Sequence, residues 1–341
     1  MVSNDAINKP FLSICIQLFN RHETVVELLK DIPVRSDIEI LVYDFSTDIK
    51  IAQKNNIFFQ NRTGIQYKKF DNHGLDYGFD LLARNSQSEY CWLLPDDDLI
   101  ETENFNKIIS ILTSNSPDFL LLNADVYTSN YKLLIKSSMH KTHKSLEIID
   151  ESNFVTIAQT LSYVGSCIFR RCMWEKYSHE KYYQSFFMHV FIFSQIINNK
   201  GNALVTNIKG AHIRANNALW TKQAFMIWTT KWPEALHSVK LISCSVLDSI
   251  VLNPSHNSIK NIVYYYAYGA LSDKKFAKET LNRRYYNLYI ILNFIPRAII
   301  TYLLLIFMTI KHTGIYNEPC YYLLSSIKTR TSNAILKRLF Y

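Results

Sequence analysis

Through roughly the first two hundred residues, apolar runs and amphipathic stretches take turns. Residues 11–17 are apolar and β-branched, as in a buried strand, and end in a tight turn over 18–21. Residues 22–30 place Val25, Leu28 and Leu29 on one helical face. A second strand over 38–43 ends in Asp44-Phe45-Ser46-Thr47-Asp48, and a third is expected over 64–70. The turn 71–74 leads to a helix over 75–85. Glu89-Tyr90-Cys91-Trp92-Leu93-Leu94 then reads as a strand that passes through Pro95 into three consecutive carboxylates, Asp96, Asp97 and Asp98. Beyond it the pattern predicts a helix over 104–112, a strand over 118–123 and a loop or short hairpin over 127–144. A helix over 154–161, a strand over 165–169, an apolar helix over 186–197 and a strand over 203–208 follow. Strands alternating with helices predict an α/β fold with a mostly parallel sheet.

After residue 220 the pattern turns helical, over 220–252 and again over 259–282. Two apolar runs, 288–295 and 298–310, are broken by Pro296-Arg297. The second is shorter than the roughly twenty residues of an ordinary membrane span. Joining the runs would bury Arg297 mid-bilayer, at a cost of several kcal/mol. An interfacial or re-entrant helical hairpin fits better, and residues 322–341 read as a basic amphipathic helix for the same surface. The expected division is a body over 1–220, a helical extension over 221–282 and a membrane-associating tail over 283–341.

Charge sharpens this division. From residue 271 onward there are eleven Lys and Arg against three Asp and Glu, which accounts for the whole formal charge of +8. A neutral body with a basic, apolar tail points to an anionic membrane surface as partner. Nucleic acid would explain the basic tail but neither its long apolar runs nor the acids. The six cysteines show no CxxC spacing and read as reduced thiols, and the polar stretch 1–10 has no secretory h-region. A cytoplasmic location is expected.

The acid triplet carries the chemistry. Three adjacent carboxylates cannot lie unpaired in a core, so they belong at the strand's exposed end. The carboxyl ends of strands in an open α/β sheet are where ligands bind. Clustered oxygen ligands suit a hard divalent cation, Mn²⁺ or Mg²⁺, of the kind that accompanies a phosphate. A solvated acidic turn is the plain alternative.

Four stretches in this order resemble family 2 glycosyltransferases of the GT-A fold: 13–21 with Asn20-Arg21, 39–48 with Asp44, Asn72-His73-Gly74, and 89–98 with the acid triplet. Gly165-Ser166…Phe169-Arg170-Arg171 and Arg214…Asn217…Trp220 are similar to the abequosyltransferase-like branch that makes bacterial O-antigen. The resemblance covers about 11–220. It implies a sheet flanked by helices with a helical C-terminal extension, and a nucleotide-sugar donor bound through Asp44, with Asn72 and Asp76 as further donor-site candidates. Counting from Glu89 makes Asp97 the metal ligand and Asp96 the ribose contact; reading the triplet as Asp-x-Asp makes Asp98 the ligand. Arg214 or His212 would reach the donor phosphates, Arg suiting bidentate contact. Where many members carry the general base, this chain has Met188-His189, and a histidine titrates near neutrality. The implied reaction is transfer of a sugar to a polyprenyl-linked glycan acceptor on the inner face of the bacterial cell membrane. A non-catalytic, membrane-associated binding protein on a degenerate GT-A scaffold is the alternative.

Overall fold

The computed structural model describes residues 9–215, 217–250, 258–271 and 274–311. These fall into two compact units that interleave along the chain, whereas the sequence pattern suggested consecutive blocks. The first unit takes the residues up to 124, 138–213 and 238–242, and the second takes 125–137, 214–237 and those from 243 on.

The first unit is a mixed sheet flanked by helices. In chain order its elements are β1 (Leu12–Leu18), α1 (Glu23–Asp31), β2 (Ile38–Asp44), α2 (Ile49–Gln60), β3 (Ile65–Lys69), α3 (Leu75–Asn85), β4 (Tyr90–Pro95), β5 (Leu99–Ile100) and α4 (Phe105–Asn115). They continue with β6 (Phe119–Tyr127), whose last residues pair with β7 (Leu134–Lys136) in the second unit. Then come β8 (Leu146–Ile148), α5 (Glu151–Leu161), β9 (Cys167–Arg170), α6 (Arg171–Tyr177), α7 (Met188–Asn198) and β10 (Ala203–Arg214). The strand order is β3-β2-β1-β4-β9-β6-β10-β5, with β8 beside β10. The pairs β3–β2, β2–β1 and β1–β4 are parallel, and β9 is antiparallel to both β4 and β6.

Composition explains these placements. All seven residues of β1 are buried, so the strand needs apolar side chains on both faces, as an inner parallel strand does. At the edge, β3 exposes Gln66, Lys68 and Lys69, which discourages pairing with another chain. Asp48 caps α2 by accepting from the amides of Lys50 and Ile51. The short strand β5, directly behind the acid triplet, lacked enough residues to be read from the pattern. Helix α7 begins at Met188, later than anticipated, because Gln184 and Phe186 hold φ of +65° and +66°. Ile14, Ile16, Val42, Trp92, Leu94, Leu120 and Ile168 lie in the core. The Trp92 indole donates to the Gly165 carbonyl at 2.8 Å.

The second unit is mainly helical. The segment α8 (Ala224–Met226) continues through a wide turn, Ile227–Lys231, into α9 (Trp232–His237). The long helix expected from 220 therefore stops at His237, and α10 (Cys244–Ile250) follows. Then come α11 (Ile259–Tyr268), α12 (Lys274–Thr280), α13 (Arg283–Leu292) and α14 (Arg297–Lys311). Phe225, Ile262, Leu271, Tyr289, Leu292 and Ile300 form its core. As the sequence suggested, the two apolar runs break at Pro296, and the helices bend by 107° there. Among the described residues no single helix is long and apolar enough to cross a membrane. The basic helix expected over 322–341 lies outside the described residues.

Core packing leaves no room at Gly210. A Cβ there would overlap Leu122 Cδ1 and come within 3.0 Å of Trp92 Cζ2. Gly210→Ala is expected to destabilise by about 1–3 kcal/mol through overpacking. Urea denaturation checks this, and Leu122→Val should offset part of the loss in the double variant.

Candidate active site

Parallel pairing aligns the carboxyl ends of β2, β1 and β4. Leu18 is opposite Asp44, and Gln17 is opposite Pro95. The chain therefore brings Asp44, the turn after β1 and the acid triplet to one end of the sheet.

Arg21 draws these ends together. Its guanidinium reaches Asp96 Oδ1 at 2.5 Å and Asp97 Oδ2 at 3.0 Å. The Phe19 amide donates to Asp96 Oδ2 at 2.7 Å, so both Asp96 oxygens are engaged. Asp96 is buried, and burial pushes its carboxyl up, with Asp97 adding to the effect; Arg21 and the Phe19 amide pull the other way. A ribose hydroxyl at Asp96 would have to replace one of these partners. Asp98 is also buried and accepts from the Tyr163 hydroxyl at 2.6 Å. Gly165 makes that contact possible, because a Cβ at 165 would collide with the Tyr163 ring and hydroxyl.

Asp44 is fully buried at the end of β2, between α2 and β3. Oδ1 accepts from the Ser46 amide at 2.7 Å, and Oδ2 from Asn55 Nδ2 at 3.1 Å and the Tyr67 hydroxyl at 2.9 Å. Asn55 also donates to the Arg21 carbonyl and meets His22 Nδ1. Asn20 Oδ1 accepts from the amides of Thr47 and Asp48 at 2.8 and 2.9 Å. The turns after β1 and β2 thus form one network, in which Asp44 is a buried anchor.

Helix α3 carries two inward carboxylates one turn apart. Asp76 accepts from the amides of Phe186 and Met188 at 2.9 and 3.1 Å and from Ser185 Oγ at 3.3 Å, so it caps the start of α7. Burial lifts its carboxyl to about 6 despite those donors. Asp80 takes Trp174 Nε1 at 2.9 Å, the Tyr183 hydroxyl at 2.7 Å and Arg84 Nε at 2.9 Å. Asn72 Oδ1 accepts from the Gly74 amide at 3.0 Å in a local turn.

His189 lies in the first turn of α7 and is 5% exposed. Its Nε2 is 2.9 Å from the Leu161 carbonyl, which can only accept, so Nε2 carries the proton. Burial lowers its pKa to about 4. These features suit a structural histidine. Service as a general base at neutral pH would require the Leu161 bond to open and the pKa to rise. The α5–β9 turn nevertheless links it to the acids, since Leu161 holds His189 while Tyr163 holds Asp98.

His212 pairs across the ladder with Leu99, the residue after Asp98, and its Nε2 meets Glu101 Oε2 at 2.7 Å. Arg214 belongs to the second unit, where its guanidinium stacks 4.3 Å over the Tyr131 ring. The sequence pattern assigns no role to Arg21, Asn55, Tyr163 or Asp80. Arg21 was findable by charge balance, as a cation on the neighbouring strand end beside three acids; Tyr163 had no local signal.

Among the described residues no three carboxylate, thiol or imidazole groups converge to hold a metal alone. A Mg²⁺ that keeps substrate phosphates as ligands needs only one or two carboxylates. Asp97 and Asp98 fit that donor set in hardness and charge, although Arg21 already shares Asp97.

This arrangement, an α/β sheet with acids at the ends of its parallel strands, defines the class of GT-A sugar transferases. Residues 13–178, a little under half of the chain, match the family model of glycosyl transferase family 2. The fold is similar to that of S. aureus TarS. One crystal structure, of TarS residues 1–349 in complex with UDP, has a TM-score of 0.51 at 12% identity and covers 79% of this chain and 82% of that one. A crystal structure of a longer TarS chain has a TM-score of 0.52 at 13% identity and covers 78% of this chain and 46% of that one. No curated protein matches the sequence.

Arg21→Ala leaves Asp96 and Asp97 without their shared cation and should cost about 2–4 kcal/mol of stability, read by urea denaturation at pH 7. His189 titrates near 4 when folded and near 6.5 when unfolded. The unfolded chain takes up the proton first, so the histidine's contribution is full above pH 6.5 and is lost as pH falls towards 4. Asp76, raised to about 6, acts oppositely between pH 6 and 4. His189→Gln removes only the histidine's part. The stability difference between wild type and variant should therefore shrink by about 3 kcal/mol from pH 7 to pH 4.

Proposed function

We propose that the protein transfers a sugar from a nucleotide-sugar donor to a polyprenyl-linked glycan acceptor at the inner face of the bacterial cell membrane, in O-antigen or other surface-polysaccharide synthesis. The observation that carries this reading is the acid triplet at the parallel strand ends of a segment that matches family 2, with Asp96 and Asp97 held by Arg21 and Asp98 by Tyr163. A donor diphosphate brings at least two negative charges to that end of the sheet. Asp97 and Asp98 would hold Mn²⁺ or Mg²⁺ there, and such a cation, when bound, neutralises charge developing on the departing nucleoside diphosphate. Arg21 can move from Asp97 to phosphate, since a guanidinium suits both partners. Tyr163 orients Asp98 through its hydroxyl. The buried Asp44 network shapes the turn on which the base and ribose would rest, and His212 lies beside the strand that follows the triplet. The sheet-end acids and the basic tail together favour a donor from the cytoplasm and an acceptor in the membrane.

One observation favours a second reading, a donor-binding protein without turnover. The position expected to supply the base holds a histidine already bonded to the Leu161 carbonyl.

Purified full-length protein is expected to gain several degrees of thermal stability with Mn²⁺ or Mg²⁺ plus one of the UDP-, GDP-, CDP- or dTDP-sugars, and to hydrolyse that sugar slowly. Asp98→Asn should lower turnover by at least tenfold while leaving the metal-free melting temperature within a few degrees. Stabilisation without hydrolysis or transfer would establish the second reading. No stabilisation by any of the four classes would refute both.

A further inference from the structure

We propose that the elbow between α13 and α14 is a membrane-docking surface for a bilayer rich in anionic lipid. This rests on the membrane-side acceptor reading above and names the surface that meets the membrane. The two helices meet at 107° across residues 293–296. Around that corner the second unit displays large apolar side chains: Phe294 is 84% exposed, Leu303 61%, Ile291 58% and Ile299 50%. Ile299 and Leu303 are four residues apart and share a face of α14.

The inner faces of the same helices are packed. Tyr289, Leu292 and Ile300 are buried in the core, and Thr301 Oγ1 donates to the Ala267 carbonyl of α11 at 3.3 Å. The exposed residues are therefore displayed by a folded support. Beside them lies a groove of about 610 Å³, lined by Ile259, Leu288 and Ile291 together with Arg283, Arg284 and Asn287. Arginine and amide donors suit a lipid phosphate, and the apolar walls suit the first methylenes of its chains. Charge complementarity selects the occupant. Over 274–311 there are seven Lys and Arg and one acid, Glu279. Apolar insertion beside a cationic collar binds anionic bilayers and discriminates against neutral ones.

Vesicle co-sedimentation of the full chain tests this, with phosphatidylcholine alone and with phosphatidylcholine containing phosphatidylglycerol, at low and high salt. Wild type should bind the anionic vesicles at least tenfold more strongly, and salt should weaken binding. Phe294→Asp with Leu303→Asp should lower anionic-vesicle affinity at least tenfold. Arg283→Gln with Arg284→Gln should lower it about fivefold per charge and flatten the salt dependence. Unchanged melting temperatures show that these exposed positions leave the fold intact. Donor-sugar hydrolysis in vesicle-free solution should also be unchanged, which separates docking from chemistry: loss of hydrolysis in wild type refutes the transfer reading alone. Equal binding to both vesicle types would overturn the proposal. So would variants that bind like wild type, since binding would then reside elsewhere in the chain. A stable dimer that Phe294→Asp dissociates would overturn it too, making this face an interface between copies.

Discussion

Three adjacent carboxylates at the end of a buried strand must be neutralised, and the active-site end of the first unit is organised by how that is done. Arg21 answers two of them from the turn after β1, and the Phe19 amide secures Asp96 from the same turn. The third, Asp98, turns to the Tyr163 hydroxyl. A guanidinium shared between a buried and a half-buried acid costs desolvation on every partner, so the cluster is held by geometry and mutual charge more than by net stability. That balance suits the proposed site, which would admit a diphosphate and a divalent cation. The charges are already placed, and binding exchanges partners instead of creating them.

The same economy of buried charge shapes the neighbouring elements. Helix α3 lies close to the sheet because Gly78 leaves space for Gln17 and Phe45. From this position Asp76 and Asp80 reach across to α6, the start of α7 and the segment between them, and hold aromatic and amide donors there. Asp76 thereby fixes where α7 begins, and with it the place of His189. Two left-handed residues just before α7 show how sharply the chain must turn to meet that cap. Chemistry at the expected base position is thus tied to a carboxylate on a different helix.

The second unit solves another problem. Its helices bury tyrosine, leucine and isoleucine on their inner faces and still leave phenylalanine, isoleucine and leucine outside. The proline at 296 interrupts the helix, so two short apolar stretches form a corner and no continuous rod. Positive charge gathers from residue 271 onward, while the chain before it is formally neutral. The corner thus presents apolar side chains beside basic ones.

Much of this was determined by local sequence. Residues 11–17, 38–43 and 89–94 could only be buried strands, and parallel pairing of such strands places Asp44 and Asp96–Asp98 at one end of the sheet. The break at Pro296 and the concentration of charge beyond residue 271 were equally readable, because each depends on neighbours along the chain. Tertiary structure alone decided the partners. Arg21 with Asp96, Tyr163 with Asp98, Asp76 with the start of α7, and Leu161 with His189 join residues 28 to 112 positions apart. No periodicity encodes such pairs. A carboxylate or imidazole reads the same in sequence whether it faces a ligand or a buried amide, and only the packed chain shows which.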